Sequence, residues 1–107
     1  MRGLGDIRSL MQQAQKLQAE LAARQEKLAN SRVEATAGGD AVRAVVTGQG
    51  ELLEVHISPE VLAEGDPELV EDLVVAAVRE AQAKAKELAK KEMSDLTGGM
   101  MPPGMLP

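Results

Sequence analysis

Hydrophobic periodicity changes twice along this chain, from helical spacing to strict alternation and back, and that order leaves few folds open. Ile7, Leu10, Ala14, Leu17, Leu21 and Leu28 recur at three-four intervals on one narrow face, and Asp6 is placed to cap a helix running to about Asn30. The seam is close to a heptad, interrupted where Arg24 takes an expected apolar position, and such a seam wants a partner helix. Val33, Ala35 and Ala37 then alternate with Arg32, Glu34 and Thr36. Gly38-Gly39-Asp40 turns the chain into Val42, Ala44 and Val46, alternating with Arg43, Val45 and Thr47, and Gly48-Gln49-Gly50 turns it again. The third alternating run places Leu53, Val55 and Ile57 on one face and Leu52, Glu54 and His56 on the other. The expectation is an antiparallel three-stranded meander with one apolar face.

Ser58-Pro59 ends the sheet, because proline removes a ladder donor and Ser58 can cap a short turn from Pro59 to Ala63. Asp66 at an N-cap, Pro67 at the first helical position, and Glu68, Glu71 and Asp72 near the positive end of the dipole mark a second long helix reaching about Asp95. Val70, Leu73, Val74, Ala77, Ala81, Ala85 and Leu88 line its apolar face, and the alanines permit close approach. Residues 1–96 form a single α+β domain on this reading. Residues 97–107, with Gly98, Gly99, Pro102, Pro103 and Gly104, form a flexible tail.

Lengths then decide something. Either helix spans roughly 36 to 45 Å, whereas a strand of about seven residues spans roughly 23 Å. The helices must overhang the sheet, so their apolar seams are expected to pack on each other and on a second copy of the chain. Composition points the same way. A chain of 107 residues without Phe, Tyr or Trp has little area per buried side chain, and a second copy enlarges the core.

Catalytic constellations are not found. Cysteine is absent, which excludes disulfides, thiolate metal sites and a cysteine nucleophile. The single histidine, His56, has Glu54 beside it but no second ligand near in sequence, and reads as a solvated strand residue. The serines and threonines lie in no nucleophile-elbow context, the glycines punctuate strand-strand turns, and the acidic run lacks the spacing of a calcium loop. No cofactor, metal or small-molecule substrate is expected. Nor is a membrane: no signal-peptide run opens the chain and no stretch of about 18 apolar residues occurs, so a soluble cytoplasmic protein is the expectation.

Charge is the remaining functional signal. The net charge is −5, yet the signs are segregated. From Glu51 to Asp72 the formal charges are all acidic, whereas Arg79 to Lys91 carries five bases against Glu80 and Glu87. Arg79, Lys86 and Lys90, spaced by seven and four, form a basic ridge opposite the apolar stripe. Lys84 and Lys91 lie elsewhere and follow Glu80 and Glu87 by four, the favourable order for intrahelical pairing. Arg8 and Lys16 on the first helix are a weaker set, interleaved with acids. Without aromatic stacking platforms, nucleic-acid binding would mean gripping duplex phosphates with little base readout.

Leu10-Met11-Gln12-Gln13-Ala14-Gln15, the stretch from Gly38-Gly39 through Gly48-Gln49-Gly50 to Val55-His56-Ile57-Ser58-Pro59, Leu73-Val74-Val75-Ala76-Ala77, and Leu96-Thr97-Gly98-Gly99-Met100 resemble, in order and spacing, the YbaB/EbfC family of nucleoid-associated proteins. The resemblance covers nearly the whole chain. It implies a homodimer with a central antiparallel sheet and paired helices projecting as tweezer-like arms, which binds double-stranded DNA and influences nucleoid organisation and gene expression. Asp40, Ser58 and Arg79 depart from the residues common in that family. The first two keep turn or capping chemistry, and Arg79 adds a charge to the ridge. Arg79, Lys86 and Lys90 are the first candidates for phosphate contacts, with Arg8 and Lys16 on the other arm. The rival reading is a protein-interaction scaffold whose arms clasp another cytoplasmic protein through Leu52 and the Met-rich tail.

Overall fold

The computed structural model describes residues 2–97. Its order is α1 (Arg2–Ala29), β1 (Arg32–Ala37), β2 (Val42–Thr47), β3 (Leu52–Ile57), a short α2 (Pro59–Ala63) and α3 (Pro67–Thr97). The sheet is an antiparallel meander, β1-β2-β3, as the alternating pattern predicts.

The helix starts follow local chemistry where chemistry is specific. Ser58 accepts a hydrogen bond through its hydroxyl from the Val61 amide, and Asp66 Oδ1 accepts one from the Leu69 amide. Both satisfy N–H groups that a helix start leaves unpaired. Asp6 is a correction: α1 already begins at Arg2, and Asp6 lies inside it rather than at its cap. Gly3 and Gly5 weaken a helix without stopping it, because unlike proline they keep the backbone donor. Residues 98–107 lie outside the described residues, and the expected tail lies almost entirely among them.

The core forms between α3 and the sheet. Ala77, Ala81 and Ala85 are sealed from solvent against Ala35, Val42, Ala44 and Val46, with Val33, Val55, Ile57, Leu73, Val74 and Val78 at the margin. Alanine on both surfaces lets the helix axis approach the strands closely, which compensates for the absent aromatics. Each fully buried valine contributes about 1.5 to 3 kcal/mol. The path of α3 is fixed at three points. Gly38 in the β1–β2 turn, with φ of 63°, lies under Leu73. Gln82 donates through its amide to the Gly50 carbonyl in the β2–β3 turn, and Glu92 meets α1. The helix therefore follows the direction of β2 and stays on the sheet through Ala85.

Its main contacts are with β1 and β2, and β3 is left largely uncovered. A register shift at Val45/Val46 adds to this. Glu54 still pairs with Val45, but Leu52 rather than Leu53 pairs with Val46. The predicted strict alternation of β3 thus breaks at its start, where the extra residue of a bulge disrupts the two-residue period. Leu52 and Leu53 are both substantially exposed, so Leu53 does not join the inward face.

The junction between α1 and the sheet is tight. Gly48 donates its amide to the Leu28 carbonyl at 2.9 Å, and a Cβ at residue 48 would sit 2.7 Å from that oxygen. A backbone atom cannot swing aside as a side chain can. Gly48→Ala is expected to destabilise the fold by about 1 to 3 kcal/mol, read as a shift in the midpoint of urea unfolding; an unchanged midpoint would show that the junction relaxes freely. Beyond this junction α1, with 28 residues, and the outer part of α3 project past the sheet, giving extents of 77 × 27 × 16 Å.

Candidate nucleic-acid interface

The cations divide by what they touch. On the sheet face turned away from α3, Arg32 pairs with Glu54, Arg43 with Glu34 at 3.0 Å, and His56 Nε2 lies 2.9 Å from Glu54. Val45 shares that face between Glu34 and Glu54 and is fully buried beneath these pairs. Arg32 and Arg43 are neutralised there and present no free positive charge. His56 sits partly exposed beside Glu54, as the sequence predicts.

The ridge on α3 is different. Arg79, Lys86 and Lys90 are exposed and lie across the helix from Ala77, Ala81 and Ala85. Lys90 Nζ is 3.7 Å from Glu87, but both side chains are more than two-thirds exposed, so the pair is solvated and weak. Arg79 and Lys86 hold no protein partner among the described residues. The expected intrahelical pairs of Lys84 and Lys91 do not form. Lys84 Nζ reaches across to the Glu34 carbonyl of β1 at 3.4 Å, and Glu87 faces Lys90 instead of Lys91. Lys84 lies on the flank of α3 that leans over β1, and a strand carbonyl competes there with the solvated Glu80. Lys91 is thereby left exposed and becomes an additional candidate that spacing alone assigned elsewhere.

Arg8 and Lys16 are exposed on α1 and hold no protein partner among the described residues. The structure does not gather them with the ridge into one patch. The helices meet where Glu92 bonds Arg24 and Lys27. Arg8 lies about 24 Å of helix outward from that point along α1, and Arg79 about 20 Å inward along α3. The candidates are strung along the long axis of the molecule.

The Arg24–Glu92–Lys27 cluster itself was missed by sequence reasoning. Glu92 Oε2 accepts from Arg24 at 2.8 Å and Oε1 from Lys27 at 2.9 Å. Glu92 is only 7% exposed, in line with the buried alanines of α3. Its signal was present: Arg24 interrupts the seam of α1, and Glu92, seven residues after Ala85, falls on the apolar stripe of α3.

Two carboxyls are held below the usual carboxylate value. For Glu92 the hydrogen bond from Lys27 acts first and that from Arg24 second; for Glu54 it is Arg32 and then His56. A carboxylate with a depressed folded pKa adds stability that is present above its unfolded value and lost as pH falls through the folded one. Replacing both by Gln is therefore expected to flatten the acid limb of thermal stability between about pH 5 and about pH 3. Melting curves across that range would check it, and parallel limbs would show that the pairs are solvated in both states.

Among the described residues, no group of three or more metal-ligating side chains comes together, and no helix is long and apolar enough to cross a membrane. Residues 3–100 match the model of the YbaB/EbfC DNA-binding family. A nucleoid-associated protein of Ruminiclostridium cellulolyticum is 45% identical over 96 residues, covering 90% of this chain and 84% of its own. A second, from Pelotomaculum thermopropionicum, is 42% identical over 101 residues, covering 94% and 96%. In fold, the chain is similar to the crystal structure of the uncharacterized protein HP0035 from Helicobacter pylori, with a TM-score of 0.74 at 21% identity, over 83% of this chain and 94% of that one.

Proposed function

This chain belongs to the YbaB/EbfC DNA-binding family, and from that premise we propose that it is a nucleoid-associated protein of the cytoplasm that grips double-stranded DNA by its phosphates. Sequence preference is weak on this reading, and binding alters DNA conformation, contributing to nucleoid organisation and gene regulation. The observation that carries it is the ridge of Arg79, Lys86 and Lys90, exposed and free of buried acids while Arg32 and Arg43 are neutralised. One row of flexible side chains meets phosphates but reads few base edges. The absence of aromatic residues removes the stacking platforms that single strands favour.

The working unit of this reading is a homodimer with tweezer-like arms. Ile7, Leu10 and Met11 are each more than half exposed on the projecting part of α1, and Leu52 and Leu53 are exposed on the uncovered β3. A second copy would cover both surfaces. Sedimentation at micromolar concentration should give twice the chain mass, and a folded monomer would remove this part of the reading.

Gel-shift titration with random duplex and with single-stranded DNA, each at two salt concentrations, tests the function. Duplex should bind more tightly, and its affinity should fall steeply as salt rises. No shift, or a shift indifferent to salt, favours the rival role of a hydrophobic clasp for another protein, in which the exposed Leu52 and Leu53 would be the adhesive surface.

A further inference from the structure

Glu92 is buried in a stripe that continues Ala77, Ala81 and Ala85, and the two cations it holds come from a helix more than sixty residues away in sequence. An apolar side chain at residue 92 would pack there without desolvating a charge. The burden of burial is also one-sided. The carboxylate side chain is 9% exposed, whereas Arg24 is 33% and Lys27 64% exposed. The cations remain hydrated without Glu92, while Glu92 needs both of them. Simple stabilisation does not explain the choice of a carboxylate here; a need for one defined geometry does, because a polar pair in an apolar seam fixes helix register and angle.

We infer that Glu92 is a positioning residue for DNA binding: by bonding Arg24 and Lys27 across the two helices it sets the angle of the α1 arm, and so the spacing between the cations of α1 and the ridge of α3. The inference rests on the DNA-binding reading above. Within the chain, the anchors of α1 lie toward its C-terminal end, where Leu28 packs on Gly48, Gln49 donates to the Gln25 carbonyl and Leu17 and Leu21 are half-buried, whereas Ile7, Leu10 and Met11 farther out are each more than half exposed. Leverage makes the angle consequential. Arg8 lies about 24 Å beyond Arg24, so a swing of about 10° moves it about 4 Å. Successive phosphates of one strand are about 3.4 Å apart along the duplex axis. A small loosening at residue 92 therefore moves Arg8 by about one phosphate.

The test separates position from charge. Glu92→Gln keeps the shape and removes a negative charge, so charge alone would strengthen DNA binding. Loss of position instead weakens it, by about tenfold in roughly 0.1 M salt, the worth of one phosphate contact. The swap Arg24→Glu/Glu92→Arg should restore most of that loss. A tighter Glu92→Gln complex would overturn the inference, as would a swap no better than the single change. The arm itself is read without DNA. The chain has no cysteine, so Ser9→Cys and Ala83→Cys, both at exposed positions, take one spin label each, and dilution with unlabelled protein isolates the distance within one chain. The distance distribution should broaden in Glu92→Gln and narrow again in the swap. An unchanged distribution in Glu92→Gln overturns the inference whatever the DNA does. Failure of the unaltered protein to bind duplex overturns the reading beneath it, and that result comes from a separate measurement.

Discussion

Replacing Arg79, Lys86 and Lys90 together by alanine is expected to lower affinity for unrelated duplexes nearly uniformly, by roughly two to three decades at about 0.1 M salt. The size follows from counterion release. Each phosphate contact adds about 0.9 to the slope of log affinity against log salt, and so about 0.9 decades at that concentration. The slope itself should flatten by about one unit for each phosphate no longer neutralised. Lys84→Ala should do less, because Lys84 already bonds the Glu34 carbonyl. Lys91, exposed and unpaired with Glu87, lies on the same flank as Lys84 rather than on the ridge, but without a partner among the described residues it does not serve as a control. Thermal stability of the triple variant should stay within about 0.5 kcal/mol of the parent, since the side chains are exposed. Equal losses from Lys84→Ala and Arg79→Ala would show that the far face of α3 does not meet DNA. No loss from any of them would move the contacts to Arg8, Lys16 or the arm tips.

The largest effect on stability is expected at Ala81. It is sealed between α3 and the sheet, against a surface that includes Ala35 and Ala44, where an aspartate finds neither water nor a cation. A buried unpaired charge costs several kcal/mol, against a total of about 5 to 15 kcal/mol for a domain of this size. Ala81→Asp should therefore abolish cooperative melting near room temperature or lower the midpoint by about 15 °C or more, at roughly 4 to 8 °C per kcal/mol. Ala83→Asp makes the same change on the exposed side of the same helix. It controls for helix propensity and should shift the melt little, by less than about 1 kcal/mol. Similar melts for the two variants would mean that α3 does not pack on the sheet through its alanine stripe.

Much of the architecture was legible before any coordinate. Helical spacing located α1 and α3, alternation located the three strands, and Ser58, Asp66 and the glycine turns marked the boundaries between them. These signals are local, since a cap acts over three residues and a strand face repeats every two. The same locality explains where the reading fell short. The start of α1 moved from Asp6 to Arg2 because a capping residue permits a helix start without requiring one. The bulge at Val45/Val46 depends on how two strands meet and leaves no mark in the alternation of either. For the candidate interface, spacing placed Arg79, Lys86 and Lys90 on one face correctly but paired Lys84 and Lys91 with the wrong partners, because it knew nothing of the Glu34 carbonyl or of the rotamers on α3.

The sequence by itself determined the order of elements, the caps and turns, which side of each helix is apolar, and which stretch of the chain is basic. All of these rest on interactions between residues a few positions apart. Only the tertiary structure decided that α3 covers β1 and β2 but leaves β3 open, that Arg32 and Arg43 are neutralised while the ridge is not, and that Arg24 and Lys27 close on Glu92 at sequence separations of 68 and 65. Such pairings depend on the direction in which α3 leaves the sheet. That direction is set by alanine packing and by Leu73 over Gly38, contacts between distant residues that no periodicity records.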